Sequence, residues 1–223
     1  MSGPIDWSPL FVSLRVAVCA TLLSCVIGIP LAYLLARRRL PGRALWEGVV
    51  LLPLVLPPTV LGYYLLVALA KTSPLGHAFH VITRTDLAFT WQGAAVAASL
   101  VSLPLLVRTL QAAFADVAPE LLDAARTEGA TDLQTFLRIQ LPLARRGLVA
   151  GVGLAFARAL GDFGATLMIG GNIPGETRTL PLAVYDAVNS GEDRTALIFV
   201  LLLSGVCLLF ALLASAFTPH HKH

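Results

Sequence analysis

The sequence predicts an all-α membrane protein with five transmembrane helices, and three observations carry that expectation. The 223 residues are 57% hydrophobic and only 13% charged, with a mean hydropathy of +0.78, a balance found in polytopic membrane chains rather than soluble domains. Four uncharged stretches, Val16 to Ala36, Gly48 to Ala70, Leu87 to Val107 and Thr195 to Phe217, each have the roughly 20 residues needed to cross about 30 Å of hydrocarbon at about 1.5 Å per residue. Between them lies a polar segment, residues 116–142, whose five acids, Asp116, Glu120, Asp123, Glu128 and Asp132, are matched in number by Arg108, Arg126, Arg138, Arg145 and Arg146 within and beside it.

The first span is expected over about residues 10–36. The segment before it lacks the basic start of a secretory signal, and Arg37, Arg38, Arg39 and Arg43 follow at once, which predicts a retained helix with a stop-transfer cluster. The second span, about 48–70, contains Pro53, Pro57, Pro58 and Gly62; a kink is expected, with freed backbone groups satisfied by neighbouring helices or water. Residues 71–86 read as a short external loop in which His77 and His80 are surface residues. The third span covers about 87–107. The fourth, about 147–171, is long enough but carries Arg158 and Asp162. A Pro-Gly turn at 174 and 175 and a short helix near Leu182 to Val188 precede the fifth span, about 195–217. No repeat or second domain is visible, so residues 1–223 read as one transmembrane domain.

Sorting Lys and Arg by loop orients the chain. With the N-terminus outside, ten face the cytosol, in residues 37–43, in residues 108–146 and at Lys222, against Lys71, Arg84, Arg178 and Arg194 outside. That excess predicts N-out and C-in. The net charge of +3 thus reports topology, and nucleic-acid binding is not expected. Cys19, Cys25 and Cys207 fall inside spans without metal spacing and read as packing residues. The HHKH tail reads as solvated, and no metal site is expected.

The polar segment is expected to form two helices on the cytosolic side. Asp116 is placed to cap the first, with Pro119 and Glu120 in its opening turn and Leu121, Leu122 and Ala125 on one face. Gly129 ends it in a turn requiring positive φ. Thr131 and Gln134 stand in capping-box relation ahead of Leu133, Phe136 and Leu137, which share a face, and Pro142 stops the second helix. A pair adsorbed to anionic lipid would be rich in bases. The matched charges here favour docking to a protein.

Asp123-Ala124-Ala125, Gly129, Ile139 and Leu141-Pro142 fit, at every offset, the "EAA, three residues, G, nine residues, I-x-L-P" signature, and the segment resembles the coupling loop of type I ABC importer permeases. The one departure is Asp123, where that family usually has Glu, which keeps the charge. A second stretch, FARALGDFGATLMIGGNIPGETRTLP from Phe156 to Pro181, resembles the segment that characterises molybdate permeases, again with an Asp, Asp162, at a usual Glu position. LPLVLPPTVLGYYLL and RRRLPGRAL extend the similarity over nearly the whole chain. Sulfate permeases share parts of the FARALGDFGA pattern, and the NIPGETRT stretch favours molybdate.

The resemblance implies the type I permease fold, with coupling helices between the third and fourth of five spans. It also implies a multi-pass protein of a bacterial or archaeal cell membrane that works as a homodimer. Its partners would be an ATPase dimer that uses ATP and Mg, and a periplasmic or extracellular molybdate-binding protein. The chain itself has only Lys71 and Lys222 and no G-x-x-x-x-G-K-[ST], so it is expected to bind no nucleotide or other cofactor and to be no enzyme. Pro57, Pro58, Arg158 and Asp162 are candidates for the translocation route. Arg158 and Asp162, four apart on one helix face, serve either as a structural pair or as pathway residues. Thr177, Arg178 and Thr179 are candidates to meet the binding protein. Gly153, Ala157, Gly161 and Ala165, at four-residue spacing, are expected to form a close-packing face. A sulfate or thiosulfate permease and a tungstate substrate remain alternatives. A stand-alone secondary transporter would show inverted repeats and several intramembrane acids, and a membrane enzyme clustered catalytic groups, none of which the sequence displays.

Overall fold

A computed structural model describes residues 5–37 and 41–216; Arg38, Arg39, Phe217 and the HHKH tail lie outside them. Among the described residues all regular structure is helical. Helix α1, Ser8–Ala36, starts with Pro9 in its first turn. Its buried stripe, Val12, Val16, Ala20, Ser24, Gly28, Ala32 and Leu35, repeats at helical spacing and faces α5, Trp91–Ala115. The stripe is narrow and small, so the two backbones approach closely: a Cβ on Gly28 would come within 3.0 Å of Leu106. Ser24 Oγ donates to the Ser99 carbonyl at 3.0 Å and meets Ser102 Oγ at 3.0 Å, giving the pair a polar clasp at mid-depth.

Among the described residues three helices are long and apolar enough to cross a membrane: α1, α5 and α12, which spans Asp193–Ala216. Of their apolar stretches 39%, 67% and 11% are buried, respectively, which makes α5 the central pillar and leaves α12 on the periphery.

The second expected span is not one helix. Helices α2, Arg43–Val55, and α3, Pro58–Leu69, meet at 107°. Pro57 and Pro58 each disfavour helical conformation in the residue before them, and Leu56 (ψ 142°) and Pro57 (ψ 133°) are both extended. Two consecutive prolines thus convert the expected kink into a corner. Residues 71–86 are not an open loop either. Ser73 Oγ accepts from the Gly76 amide at 2.9 Å and starts α4, Pro74–Thr83, which Arg84 ends with φ 57°. His77 and His80 lie on this helix, with His80 Nδ1 2.9 Å from Asp86.

The fourth expected span is also broken. Helices α9, Arg145–Leu160, and α10, Gly164–Gly170, are bent by 60° at residues 161–163. Counting each bent pair as one span gives up to five. The break also corrects the expected small-residue face: Gly161 lies in the break and Ala165 belongs to α10, so the four residues do not share one helix. The close face is instead Gly147, Gly151 and Ala155, where a Cβ on Gly147 would strike Ala113 of α5 and one on Gly151 would come within 3.2 Å of Leu106. The two half-helices α3 and α10 pack on each other, a Cβ at Gly62 falling 2.7 Å from Met168 Cβ and 2.9 Å from Ala165 Cα. Helix α11, Leu180–Asn189, contains the expected short external helix and packs on α12. Between α5 and α9 come α6, Pro119–Thr127, α7, Asp132–Thr135, a π-helical turn over Phe136–Gln140, and α8, Leu141–Leu143.

Gly62→Leu forces Ala165 backbone and Met168 apart and is expected to destabilise the fold by about 1–3 kcal/mol. Gly48, whose Cβ position is open, tolerates Ala with a change within about 0.5 kcal/mol. Thermal unfolding in detergent, followed by loss of monodispersity, separates the two variants.

Candidate functional site

The polar segment forms an elbow whose turn chemistry matches the sequence pattern closely. Helix α6 ends in a Schellman motif: the Ala130 amide donates to Ala125 O and the Gly129 amide to Arg126 O, both at 3.0 Å. Gly129 takes φ 88°. The capping box is complete, the Gln134 amide donating to Thr131 Oγ1 at 3.2 Å and the Thr131 amide to Gln134 Oε1 at 2.9 Å. Two details differ from expectation. Asp116 ends α5 and does not cap α6, which begins at Pro119 after Ala118 with Glu120 in its first turn. Nor does Pro142 end the second helix. The Leu141 amide reaches back to Phe136 O in a π-turn, and Pro142, which has no amide hydrogen, sits in the first turn of α8.

The expected shared face of Leu133, Phe136 and Leu137 is divided. Phe136 is turned inward, 8% exposed, with its ring 4.3 Å from Tyr33 and 5.5 Å from Phe114. Leu133 and Leu137, with Leu121 on α6, are at least half exposed. Phe136 and Leu137 are consecutive and stand about 100° apart around a helix, so the surface of the bundle passes between them, one turned in and the other out. The elbow is tied to α1 by ions as well as by rings. Asp132 pairs with Arg37 at 3.0 Å and with Arg126 at 3.3 Å, and Arg126 pairs with Asp123 at 2.9 Å. Arg37 also donates to Tyr33 Oη at 2.7 Å. These pairs are half exposed and individually worth little; as a chain they fix the elbow's angle to the bundle. Gln140 Nε2 donates to Phe114 O at 3.1 Å, a buried bond.

Of the signature residues, Asp123, Ala124, Gly129 and Pro142 are exposed, while Ala125, Ile139 and Leu141 are half-buried. Leu141 packs on the apolar cluster that contains Leu35, Leu110 and Phe114. The outcome is a polar elbow that exposes three leucines and the Asp123 carboxylate.

At the break in the fourth span the structure brings Arg158 and Asp162 together, 3.4 Å apart, with the Asp162 carboxylate buried and the Arg158 guanidinium partly exposed. Asp162 Oδ2 also accepts from the Thr166 amide at 2.9 Å, and Thr166 Oγ1 donates to the Asp162 and Phe163 carbonyls. The carboxylate therefore supports the start of α10, where the chain has lost its helical partners. Pro57 and Pro58 are exposed at the corner of the second span, and a Cβ on Gly164 would lie 3.0 Å from Pro58 Cβ. The two breaks thus adjoin.

The external candidates are corrected by burial. Thr177 and Thr179 are 1% and 3% exposed and have no surface to offer a partner protein. Thr177 Oγ1 accepts from the Ile173 amide at 3.0 Å, folding the loop on itself. Arg178 donates to Asn172 Oδ1 at 2.9 Å and pairs with Asp186 at 2.9 Å. It borders a cavity of about 890 Å³ also lined by Asp6, Asp186, Glu192, Asp193 and Arg194. The charge run Glu192-Asp193-Arg194 was the available signal for this cavity. A second association the sequence did not suggest joins Glu47 to Arg43 at 2.8 Å, Gln111 at 2.9 Å and Arg108 at 3.5 Å, cross-linking α2 to α5 beside the elbow.

The fold is that of ABC importer permeases. An inward-facing MetNI methionine ABC transporter superposes with a TM-score of 0.74 at 22% identity, covering 98% of this chain and 100% of that one. A bacterial ABC transporter for import of the acidic polysaccharide alginate gives 0.68 at 16% identity, covering 98% and 82%. The chain belongs to the family of binding-protein-dependent transport system inner membrane components, whose model matches residues 28–223, and is accordingly a multi-pass membrane protein. The Escherichia coli K12 molybdenum transport system permease protein ModB is 44% identical over 193 residues, 86% of this chain and 84% of that protein. ModB of Haemophilus influenzae is 40% identical over 211 residues, covering 93% and 92%. The Salmonella typhimurium sulfate transport system permease protein CysT is more distant, 36% identical over 203 residues, covering 90% of this chain and 73% of its own.

Replacing Asp162 with Leu leaves Arg158 without its carboxylate and the Thr166 amide without its acceptor. A loss of about 3–5 kcal/mol is expected from breaking a buried pair at one side only. Exchange of both Arg158 and Asp162 for a neutral hydrogen-bonding pair should recover much of that stability, as read by thermal unfolding in detergent.

Proposed function

We propose that this chain is the membrane-spanning subunit of a binding-protein-dependent ABC importer that carries molybdate inward, with tungstate as an isostructural second substrate. A separate ATPase dimer, using ATP and Mg, supplies the energy, and two copies of this chain form the route. The chain takes part in no nucleotide chemistry itself. Its N-terminus lies outside and its C-terminus in the cytosol, the two bent helix pairs each counting as one span. That places the elbow on the cytosolic side, where the excess of Lys and Arg belongs.

The observation that carries this reading is the elbow. In the coupling-loop signature Gly129 takes the left-handed turn, Leu141 packs on the apolar core and Pro142 sits in a first helical turn, and Leu121, Leu133 and Leu137 stand exposed on the same segment. Exposed leucines on a polar segment have a physical reason when another protein covers them. Nucleotide-driven closure of the ATPase would move the two elbows together, and the bundle would alternate between inward-open and outward-open states. The adjoining breaks at Pro57, Pro58, Arg158 and Asp162 are where such a bundle would flex, and Arg158 is the intramembrane charge suited to a divalent oxyanion. A molybdate-binding protein would dock externally, with Arg178 at the rim of the outer cavity as the contact retained from the sequence-based set. The greater identity to molybdenum permeases than to sulfate permeases supports the choice of anion.

Reconstitution with the ATPase and separate molybdate- and sulfate-binding proteins tests the substrate. Hydrolysis should be stimulated by the molybdate-loaded protein, and stimulation by the sulfate-loaded one alone would assign the sulfate reading. Gly129→Val tests the elbow. Its Cβ meets nothing within 4 Å, so the effect is backbone strain alone, about 1–2 kcal/mol for holding valine in the left-handed region. Expressed in docking, that is roughly ten-fold weaker association with the ATPase. Full uptake by Gly129→Val would refute the role of the turn.

A further inference from the structure

We propose that the stroke of the elbow enters the bundle through Phe136, clasped between Tyr33 of α1 and Phe114 of α5, and not along the chain into α9. The proposal rests on the reading of the elbow as the docking segment.

Two routes lead from the elbow into the membrane domain. The covalent one passes through residues 136–145 and is compliant. Its hydrogen bonds run in a π-turn, Pro142 donates none, and Ala144 (φ −83°, ψ 7°) departs from helical geometry before α9 begins, its amide donating to Gln140 O and its carbonyl accepting from the Leu148 amide, both at 2.9 Å. A segment without a continuous i to i+4 ladder bends where a regular helix would push. The second route is packed side chain on packed side chain. Phe136 is buried, tilted against the Tyr33 ring at 43° and edge-on to Phe114 at 76°. Both are favourable aromatic arrangements. Around the ring, the Gln140 amide holds Phe114 O and Arg37 ties Asp132 to Tyr33 Oη. Interiors packed at this density transmit displacement because no neighbour can yield alone.

The partners chosen by Phe136 are informative. Tyr33 stands one turn from the end of α1, and Phe114 is next to last in α5. These are the two most extensively packed helices in the bundle. A movement delivered there is passed to α9 through Gly147 and Gly151, which abut α5, and through α5 to α10. Phe136 is thus a positioning residue for coupling, acting through α1 and α5 and touching neither anion nor ATPase.

The test uses the full complex of permease, ATPase and molybdate-loaded binding protein in proteoliposomes, with ATPase association, ATP hydrolysis and molybdate uptake measured on the same sample. Phe136→Ala should keep the ATPase bound and hydrolysing while uptake per ATP falls roughly ten-fold, within the range of measured coupling energies between sites. Phe136→Leu, which keeps an apolar knob in the clasp, should restore most of the ratio. Unchanged uptake per ATP in Phe136→Ala overturns the proposal, as does ATPase loss in proportion to uptake, which would make Phe136 a support for the docking face only. Should Phe136→Ala fail to assemble, Tyr33→Leu removes the opposing ring, and a normal ratio there overturns the proposal equally. A wild-type permease that binds no ATPase would instead refute the docking reading.

Discussion

Hydrocarbon gives two apolar helices no hydrophobic reason to associate, so a bundle in lipid depends on how closely its backbones can approach. Here that constraint is met along α5. Gly28 of α1 and Gly147 and Gly151 of α9 all present bare backbone to it, and the Ser24, Ser99 and Ser102 hydroxyls add hydrogen bonds where water is absent. Because α5 is held on several sides, the rest of the protein can be irregular. The corner at Leu56 and Pro57, the break at Gly161 to Phe163 and the half-helices α3 and α10 are all stabilised by packing on elements that α5 fixes.

Function follows from the contrast between this rigid centre and its broken flanks. The elbow is built from local rules: a Schellman turn, a capping box and the pairs of Arg126 with Asp123 and Asp132. None needs the bundle to form, yet Phe136 and Gln140 fasten the result to the inner ends of α1 and α5. A locally built handle joined to a closely packed pillar, with bent helix pairs beyond it, suits the proposed conversion of a push on the elbow into rearrangement of the bundle.

The local features were legible in the sequence because their chemistry is short-range. Thr131 with Gln134, Gly129 at a left-handed position and Pro119 at a helix start each act over at most four residues, and spacing alone reveals them. The helical membrane fold was equally plain, since length and apolarity suffice. What spacing could not reveal were register changes and inward turns. Phe136 turns inward while Leu133 and Leu137 stay exposed, and the Gly161 break moves Ala165 away from Gly153 and Ala157. Two prolines signalled a bend at 57 and 58 but not its 107°. Thr177 and Thr179 looked like loop residues because burial of a loop is decided by distant elements, here α1, whose Ser13 hydroxyl accepts from the Leu180 amide. The carboxylate of Asp162 was visible as a buried charge, while its second partner, the Thr166 amide, existed only once the helix had broken.

The central claim is that the elbow faces the cytosol and is covered by a motor protein. The most direct measurement places a cysteine at Leu133, in a chain with Cys19, Cys25 and Cys207 replaced, and treats native membranes with a short crosslinker and, separately, with a membrane-impermeant maleimide added from outside. Capture of the ATPase together with protection from the external reagent is the predicted result. Labelling from outside, or capture of lipid and no ATPase in transport-competent membranes, would contradict the account.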